Sequence, residues 1–456
     1  MNSINRRSWP AGFVWGAATS SYQIEGDRAG RGPSVWDAFC RRRGAIYEGH
    51  TGDRACDHVL RWREDVALMR QIGLQAYRFS ISWPRILPRG VGGVNARGLD
   101  FYDRLVDALL EANIQPWITL FHWDFPLALY RRGGWLNRDS ADWFAEYTRR
   151  VAARLADRVA NWMTLNEPQC FMDLGHIVAR HAPGDKLSMR DALRASHHVL
   201  LAHGRAVEVL RGCASRPLRI GLANAAHTFI PHDERREQDR RAALDAMASL
   251  RAGSTWNNTL WNDPIFFGRY PAQMARVYKA ARFDPSEADL RVISQPLDFV
   301  GLNVYSGRWV RGDSRGRWKD VPFPPGYPMT HFHWPVTPRC LYWAAKFYFE
   351  RYRVPVVITE NGLSLSDWVA GDGGVHDPAR IDFLDRYLAA LHDAIQDGVD
   401  IRGYFHWSLL DNFEWAEGYK ERFGLVHVDF STGKRTLKDS ARWYRDWIAQ
   451  CAGLVS

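Results

Sequence analysis

Lysine is scarce in this chain: of 60 basic side chains, 7 are Lys and 53 are Arg. The arginines are scattered, often as pairs such as Arg131-Arg132, Arg149-Arg150, Arg235-Arg236 and Arg240-Arg241, and the longest run is Arg41-Arg42-Arg43. No stripe of basic residues interleaved with aromatics occurs, so the formal charge of +9 carries no nucleic-acid reading, and a solvated Arg-rich surface is expected. Cysteine is sparse too. Cys40, Cys56, Cys170, Cys213, Cys340 and Cys451 lie far apart with no CxxC, which excludes a disulfide framework or a zinc ribbon. Reduced thiols and a cytoplasmic location are expected. No run of about 18 apolar residues is present, and the N-terminal MNSINRRSWPAGFVWG has no continuous apolar core. Neither a membrane span nor a signal peptide is predicted.

Several motifs are missing as well. No G-x-G-x-x-G follows the first strand candidate, and there is no P-loop and no G-x-S-x-G elbow. His122, in His122-Trp123-Asp124, has no partner at the spacing of a zincin helix, and Cys56-Asp57-His58 lacks a second ligand cluster. No metal and no cofactor is expected.

What is present is ample core: 46% of the 456 residues are hydrophobic and 24% charged, close to globular averages. The 21 Trp suit a heavily packed interior with some rings left to line a cleft. Eight apolar stretches read as strands: 13–19, 74–82, 114–123, 159–167, 217–226, 297–305, 354–360 and 400–408. Amphipathic stretches at 57–73, 98–114, 380–398 and 440–452 read as helices, with Gly73, Asn113 and Gly398 placed as C-terminal caps. Eight alternating βα units with no linker predict an α/β fold, one (β/α)₈ TIM barrel domain over 1–456 with elaborated βα loops. The segment 306–337 is read as a long irregular binding loop or lid.

In such a barrel, active sites form at the carboxyl ends of the strands. There the sequence places Arg78, His122, Asn166, Glu167, Asn224, Asn303, Tyr305, Glu360 and Trp407. Glu167 and Glu360 end the fourth and seventh strands, 193 residues apart in sequence (360 − 167). Two carboxylates across a neutral pocket suit glycoside hydrolysis, one donating a proton while the other attacks or stabilises the cationic centre. A neighbouring Arg would keep one ionised, and apolar surroundings would keep the other protonated. Taken singly, a Glu after a strand is often no more than a helix N-terminal residue, and Glu167-Pro168 fits that reading.

Thr-Leu-Asn-Glu-Pro (164–168) with Ile-Thr-Glu-Asn-Gly (358–362) resembles the signature pair of glycoside hydrolase family 1, the β-glucosidase family. The similarity extends through FVWGAATSSYQIEG (13–26), YRFSISWPRI (77–86), FHWD (121–124), GLNVYS (301–306) and HWSLLDNFEWAEGYKERFGLVHVD (406–429). It implies a retaining β-glycosidase needing no metal or cofactor, with Glu360 as nucleophile and Glu167 as acid/base. It further implies that Arg78 and Tyr305 orient Glu360 and that Asn166 contacts the sugar 2-hydroxyl. Gln23, His122, Glu414 and Trp415 would bind the non-reducing sugar over a Trp407 floor, with Asn303, Trp123 and Trp334 lining the pocket and its mouth. Small β-glycosides, including galactosides and fucosides, or short oligosaccharides are the expected partners; the sequence carries no signal for an oligomeric state. Two alternatives stand beside this: a 6-phospho-β-glycosidase, whose branch carries Ser where this chain has Glu414, and a non-catalytic sugar-binding relative. The chain departs from the family at Val304, where a Tyr is common. It departs again at Arg339, which replaces a common acidic residue and is expected to matter only at the surface.

Overall fold

The computed structural model describes residues 9–278 and 285–452, so the leader reading at residues 1–8 lies outside the described residues. All eight expected strands form: β1 (Val14–Ala18), β2 (Ala76–Ser80), β3 (Gln115–Phe121), β4 (Asn161–Asn166), β5 (Arg219–Ala225), β6 (Val300–Asn303), β7 (Val356–Asn361) and β8 (Ile401–Trp407). They close in parallel into a barrel, each strand pairing with its sequence neighbours and β8 pairing with β1. The chain belongs to the TIM barrel class, and helices such as His58–Ile72, Ala96–Glu111 and Pro378–Gln396 return it between strands. Gly73, Asn113 and Gly398 take positive φ of 72°, 59° and 84° at helix ends, as their C-terminal positions require.

Two apolar layers hold the barrel. Val356 and Ile358 of β7 face the helices, whereas Val357 joins an interior cluster with Val14, Ala76, Met163 and Ala223. Trp117 plugs that interior, its ring 5.1 Å from Phe405 and 5.5 Å from Phe299. Thus the barrel is filled below the rim formed by the carboxyl ends of its strands, as eight-stranded barrels are.

Strand alternation alone would send Glu360 outward with Val356 and Ile358. The β7–β6 register shifts between Ile358 and Glu360, and β4–β5 shifts between Met163 and Asn166. Such irregularities re-aim a side chain. Both strands therefore break step just before their carboxylates. Gly362 then brings the chain so close to β8 that a Cβ there would collide with the Trp407 carbonyl oxygen.

Two expectations are corrected. The segment 306–337 is not irregular throughout: Arg308–Gly312 and Trp318–Val321 form a hairpin that pairs with Phe229–Pro231. Val310 anchors it in the core, a signal that the surrounding Gly and Pro obscure. Arg339 is more than a surface substitution. Its guanidinium donates to both Glu234 oxygens at 2.7 Å and to Asp393 at 2.8 Å, tying the helix Arg339–Tyr352 to a βα loop and to the next helix.

Candidate active site

The rim residues converge on a cavity of about 670 Å³ at the carboxyl end of the barrel. Its base is an ordered polar network. Arg78, fully buried on β2, donates to Glu360 Oε1 at 2.5 Å and to Asn166 Oδ1 at 2.6 Å. Thr119 and the Thr359 carbonyl accept the remaining Arg78 hydrogen bonds at 3.2 and 3.1 Å, so the fork cannot swing. Tyr305 donates its hydroxyl to Glu360 Oε2 at 2.6 Å. Glu360 thus has a cation and a phenol, one on each oxygen.

Glu167 is treated differently. Its Oε1 accepts from the Asn303 amide at 2.8 Å, and no cation bonds to it among the described residues. It stands in the left-handed region (φ 46°) as the residue before the one-turn helix Pro168–Met172. Burial, and then the Glu360 charge, push its carboxyl up to about 8. Burial also pushes Glu360 up, but Arg78 and then Tyr305 oppose it. When the pair holds one proton, the proton therefore resides on Glu167.

Asn166 Oδ1 accepts from both Arg78 and Asn303, which turns its amide nitrogen toward His122 Nε2 at 3.0 Å. The imidazole consequently accepts at Nε2 and carries its hydrogen on Nδ1, an atom with no partner among the described residues. Burial, then the Arg78 charge, hold His122 well below its ordinary value, so the ring is neutral. Glu414 accepts from Gln23 Nε2 at 3.3 Å, and burial followed by the charge of Glu360 raises its carboxyl well above the usual range.

Aromatic faces form the walls. Trp407 and Trp415 lie near parallel to the His122 ring, with centroids 5.9 and 6.0 Å away. Trp123 packs on Trp415 at 4.5 Å and donates its indole N–H to the Asn166 carbonyl at 3.0 Å. Trp334 packs on Tyr305 at 5.1 Å near the mouth. Among the described residues, no group of three or more His, Cys, Asp or Glu side chains is placed to hold a metal ion.

With this geometry in view, the chain can be set beside known proteins. The family model described as "Glycosyl hydrolase family 1" matches residues 5–452. This chain belongs to glycosyl hydrolase family 1. It is 47% identical to β-glucosidase A of Thermotoga maritima, with 98% of each chain covered. It is 41% identical to the bifunctional β-D-glucosidase/β-D-fucosidase of Bifidobacterium breve, over 97% of this chain and 98% of that one. The structure of the Thermotoga maritima β-glucosidase in complex with glucoimidazole superposes with a TM-score of 0.89 at 45% identity, covering 98% of this chain and 99% of that one. As a family 1 member, the protein is a glycosidase.

Most of the site positions named from sequence meet at the cavity; three stand apart. Arg78 and Gln23 do not line it but lie behind Glu360 and Glu414, as their supports. Asn224, placed on the rim by strand counting, turns away from the site. Its oxygen accepts from Gln169 and Asn262 at 2.9 and 3.0 Å, outside the cavity. The sequence reading missed Cys170, which lines the cavity one helical turn after Glu167, and Phe332 and Phe423 near Trp334. The position of Cys170, three residues beyond the Glu, was the available signal. Nothing local marked the two Phe.

Proposed function

We propose that the protein is a retaining β-glucosidase that removes terminal, non-reducing β-D-glucosyl residues. The observation that carries this reading is the unequal setting of the two carboxyls. Glu360 bonds to Arg78 and Tyr305, whereas Glu167 bonds to a neutral amide. In the first step Glu360 attacks the anomeric carbon, the bond to the leaving oxygen breaks, and Glu167 gives that oxygen its proton. Glu167 then takes a proton from water, whose oxygen displaces Glu360 and frees the sugar with its configuration retained. Asn166 would contact the 2-hydroxyl. The partnerless Nδ1–H of His122, with Glu414, Gln23 and Trp415, would meet hydroxyls farther round the ring, over the Trp407 face. Asn303, Trp123 and Trp334 line the path outward.

Tolerance of β-galactosides and β-fucosides is part of the reading, and the named activities of the Bifidobacterium breve relative support the fucoside. The phosphoglycosidase alternative gains nothing from Lys420, which is bonded to Glu417 at 2.8 Å and paired with Glu421 at 3.3 Å. Two intact carboxyls weigh against a purely binding role. Six cysteines outside any disulfide support a reducing, cytoplasm-like setting for a single-domain enzyme. The test is an aryl β-glucoside panel with the first-formed sugar anomer read by NMR. The β-anomer is expected. Release of the α-anomer would overturn the retaining mechanism, and no turnover of any glycoside would overturn the catalytic reading.

A further inference from the structure

The cavity is asymmetric in charge. Gln23, Glu414 and Trp415 follow β1 and β8, so the sugar side lies there. Glu167, beside the leaving oxygen, ends β4, and β5 and β6 come next around the barrel. The leaving group must therefore depart across the loops after β5 and β6. Three arginines line the cavity. Arg180 is held by Glu417 at 2.6 Å. Arg308, just after β6, shares its charge with Asp320 at 2.6 Å at the outer edge. Arg251, in the long connection from β5 to β6, is exposed, and its guanidinium has neither an ion pair nor a hydrogen bond among the described residues.

Of the three arginines that line this cavity, Arg251 alone has no carboxylate within ion-pair distance among the described residues. His227 lines the cavity with both arginines, and burial, then the charges of Arg251 and Arg308, push its imidazole down to about 4. Thr228, Ser254 and Ser306 also line the cavity, and Thr228 gives its hydroxyl hydrogen to the Ala226 carbonyl at 3.1 Å. The acidic group on that side, Asp173, is satisfied by Ser254 Oγ at 2.7 Å and the Thr255 N–H at 2.9 Å. The wall thus offers positive charge and, among the described residues, no carboxylate left without a hydrogen-bond donor.

We infer that this wall is an anion subsite for the leaving group, where Arg251, with Arg308 beside it, receives a carboxylate carried by the aglycone. The inference rests on the β-glucosidase reading and names the substrate class it favours: β-glucosides of acidic aglycones, above all aryl carboxylates. A cavity of about 670 Å³ leaves room for such a group beyond one sugar ring. The net charge of +9 would draw such substrates in.

The test compares 4-carboxyphenyl and 4-carbamoylphenyl β-D-glucosides, which match in shape and differ in charge. The wild-type ratio of their kcat/KM values is the reference, so that intrinsic leaving-group differences cancel. Arg251→Gln should lower the carboxylate-to-amide ratio about fivefold or more, Arg251→Lys should restore much of it, and added salt should compress the wild-type ratio. An unchanged ratio in Arg251→Gln overturns the subsite. A second arm needs no turnover: calorimetric binding of 4-hydroxybenzoate against 4-hydroxybenzamide. Tighter benzoate binding that is lost in Arg251→Gln supports the subsite, and equal binding of the two overturns it. Benzoate binding without cleavage of either glucoside would keep the subsite and overturn the glucosidase reading.

Discussion

Asn303 donates its amide to Glu167 at 2.8 Å while its own oxygen is held at 2.7 Å by Thr359, the residue before Glu360. One side chain thus fixes Glu167 relative to the strand that carries Glu360, and it favours the ionised form of both carboxyls.

Replacing it should therefore have two effects. Asn303→Ala removes a hydrogen bond to a charged form, worth about 1.5–3 kcal/mol, so kcat should fall roughly 10- to 100-fold. The Glu167 carboxyl should also move higher, carrying the alkaline limb of the pH profile upward. A fall in kcat with an unmoved limb would mean that Asn303 is only a spacer.

In the wild type, kcat/KM should decline as pH rises through about 8, because Glu167 loses the proton it must donate. The acid limb should belong to Glu360, which the proposed first step needs ionised. Tyr305→Phe removes a hydrogen bond that favours that anion, so the acid limb should shift to higher pH and the bell should narrow. A pH series of initial rates on wild type and variant reads both limbs.

Glu167→Gln and Glu360→Gln should separate by substrate. Glu360→Gln should abolish turnover of every glycoside, since no attacking group remains. Glu167→Gln should hurt alkyl glucosides by about 10²–10⁴-fold, but should slow the first step with a dinitrophenyl leaving group much less, because that oxygen needs little protonation. Pre-steady-state release of the phenol is the measurement, and an equal loss on both substrates would remove Glu167 from the acid role.

A fourth prediction concerns stability. Asp65 is buried between His58 Nδ1 at 2.7 Å and Arg435 Nε at 2.9 Å, joining the helix His58–Ile72 to the hairpin formed by Val426–Val428 and Arg435–Leu437. Burial pushes Asp65 up, yet His58 and Arg435 outweigh it, and the carboxyl sits below its ordinary value. Its contribution is thus present above the unfolded value near 4 and is lost as pH falls through the folded one. Asp65→Asn leaves Arg435 buried without its anion and should cost about 3–5 kcal/mol in denaturant unfolding. The gap from wild type should shrink in acid.

The barrel was legible in the sequence because each strand is a short apolar run between amphipathic helices, a pattern that side-chain periodicity carries directly. The signature motifs marked Glu167 and Glu360, and these with Arg78 and Tyr305 meet as expected. Less was legible where backbone register decides. Asn224 ends its strand like the others yet bonds to Gln169 outside the cavity, and the register shifts that turn Glu360 inward leave no trace in residue type. The hairpin within 306–337 was hidden because Gly and Pro at its edges outweigh a short strand signal. Arg251 was invisible for another reason: among 53 arginines, only position distinguishes it.

The aromatic plug of Trp117, Phe299 and Phe405 makes the cavity a blind well rather than a tunnel. On the proposed β-glucosidase reading, a glycoside chain would enter such a well end first and be shortened one unit per visit. On that reading the aglycone would sit nearer the exit than the bound sugar and would clear before water arrives, so a slow-leaving acidic aglycone would delay the second step without touching the first.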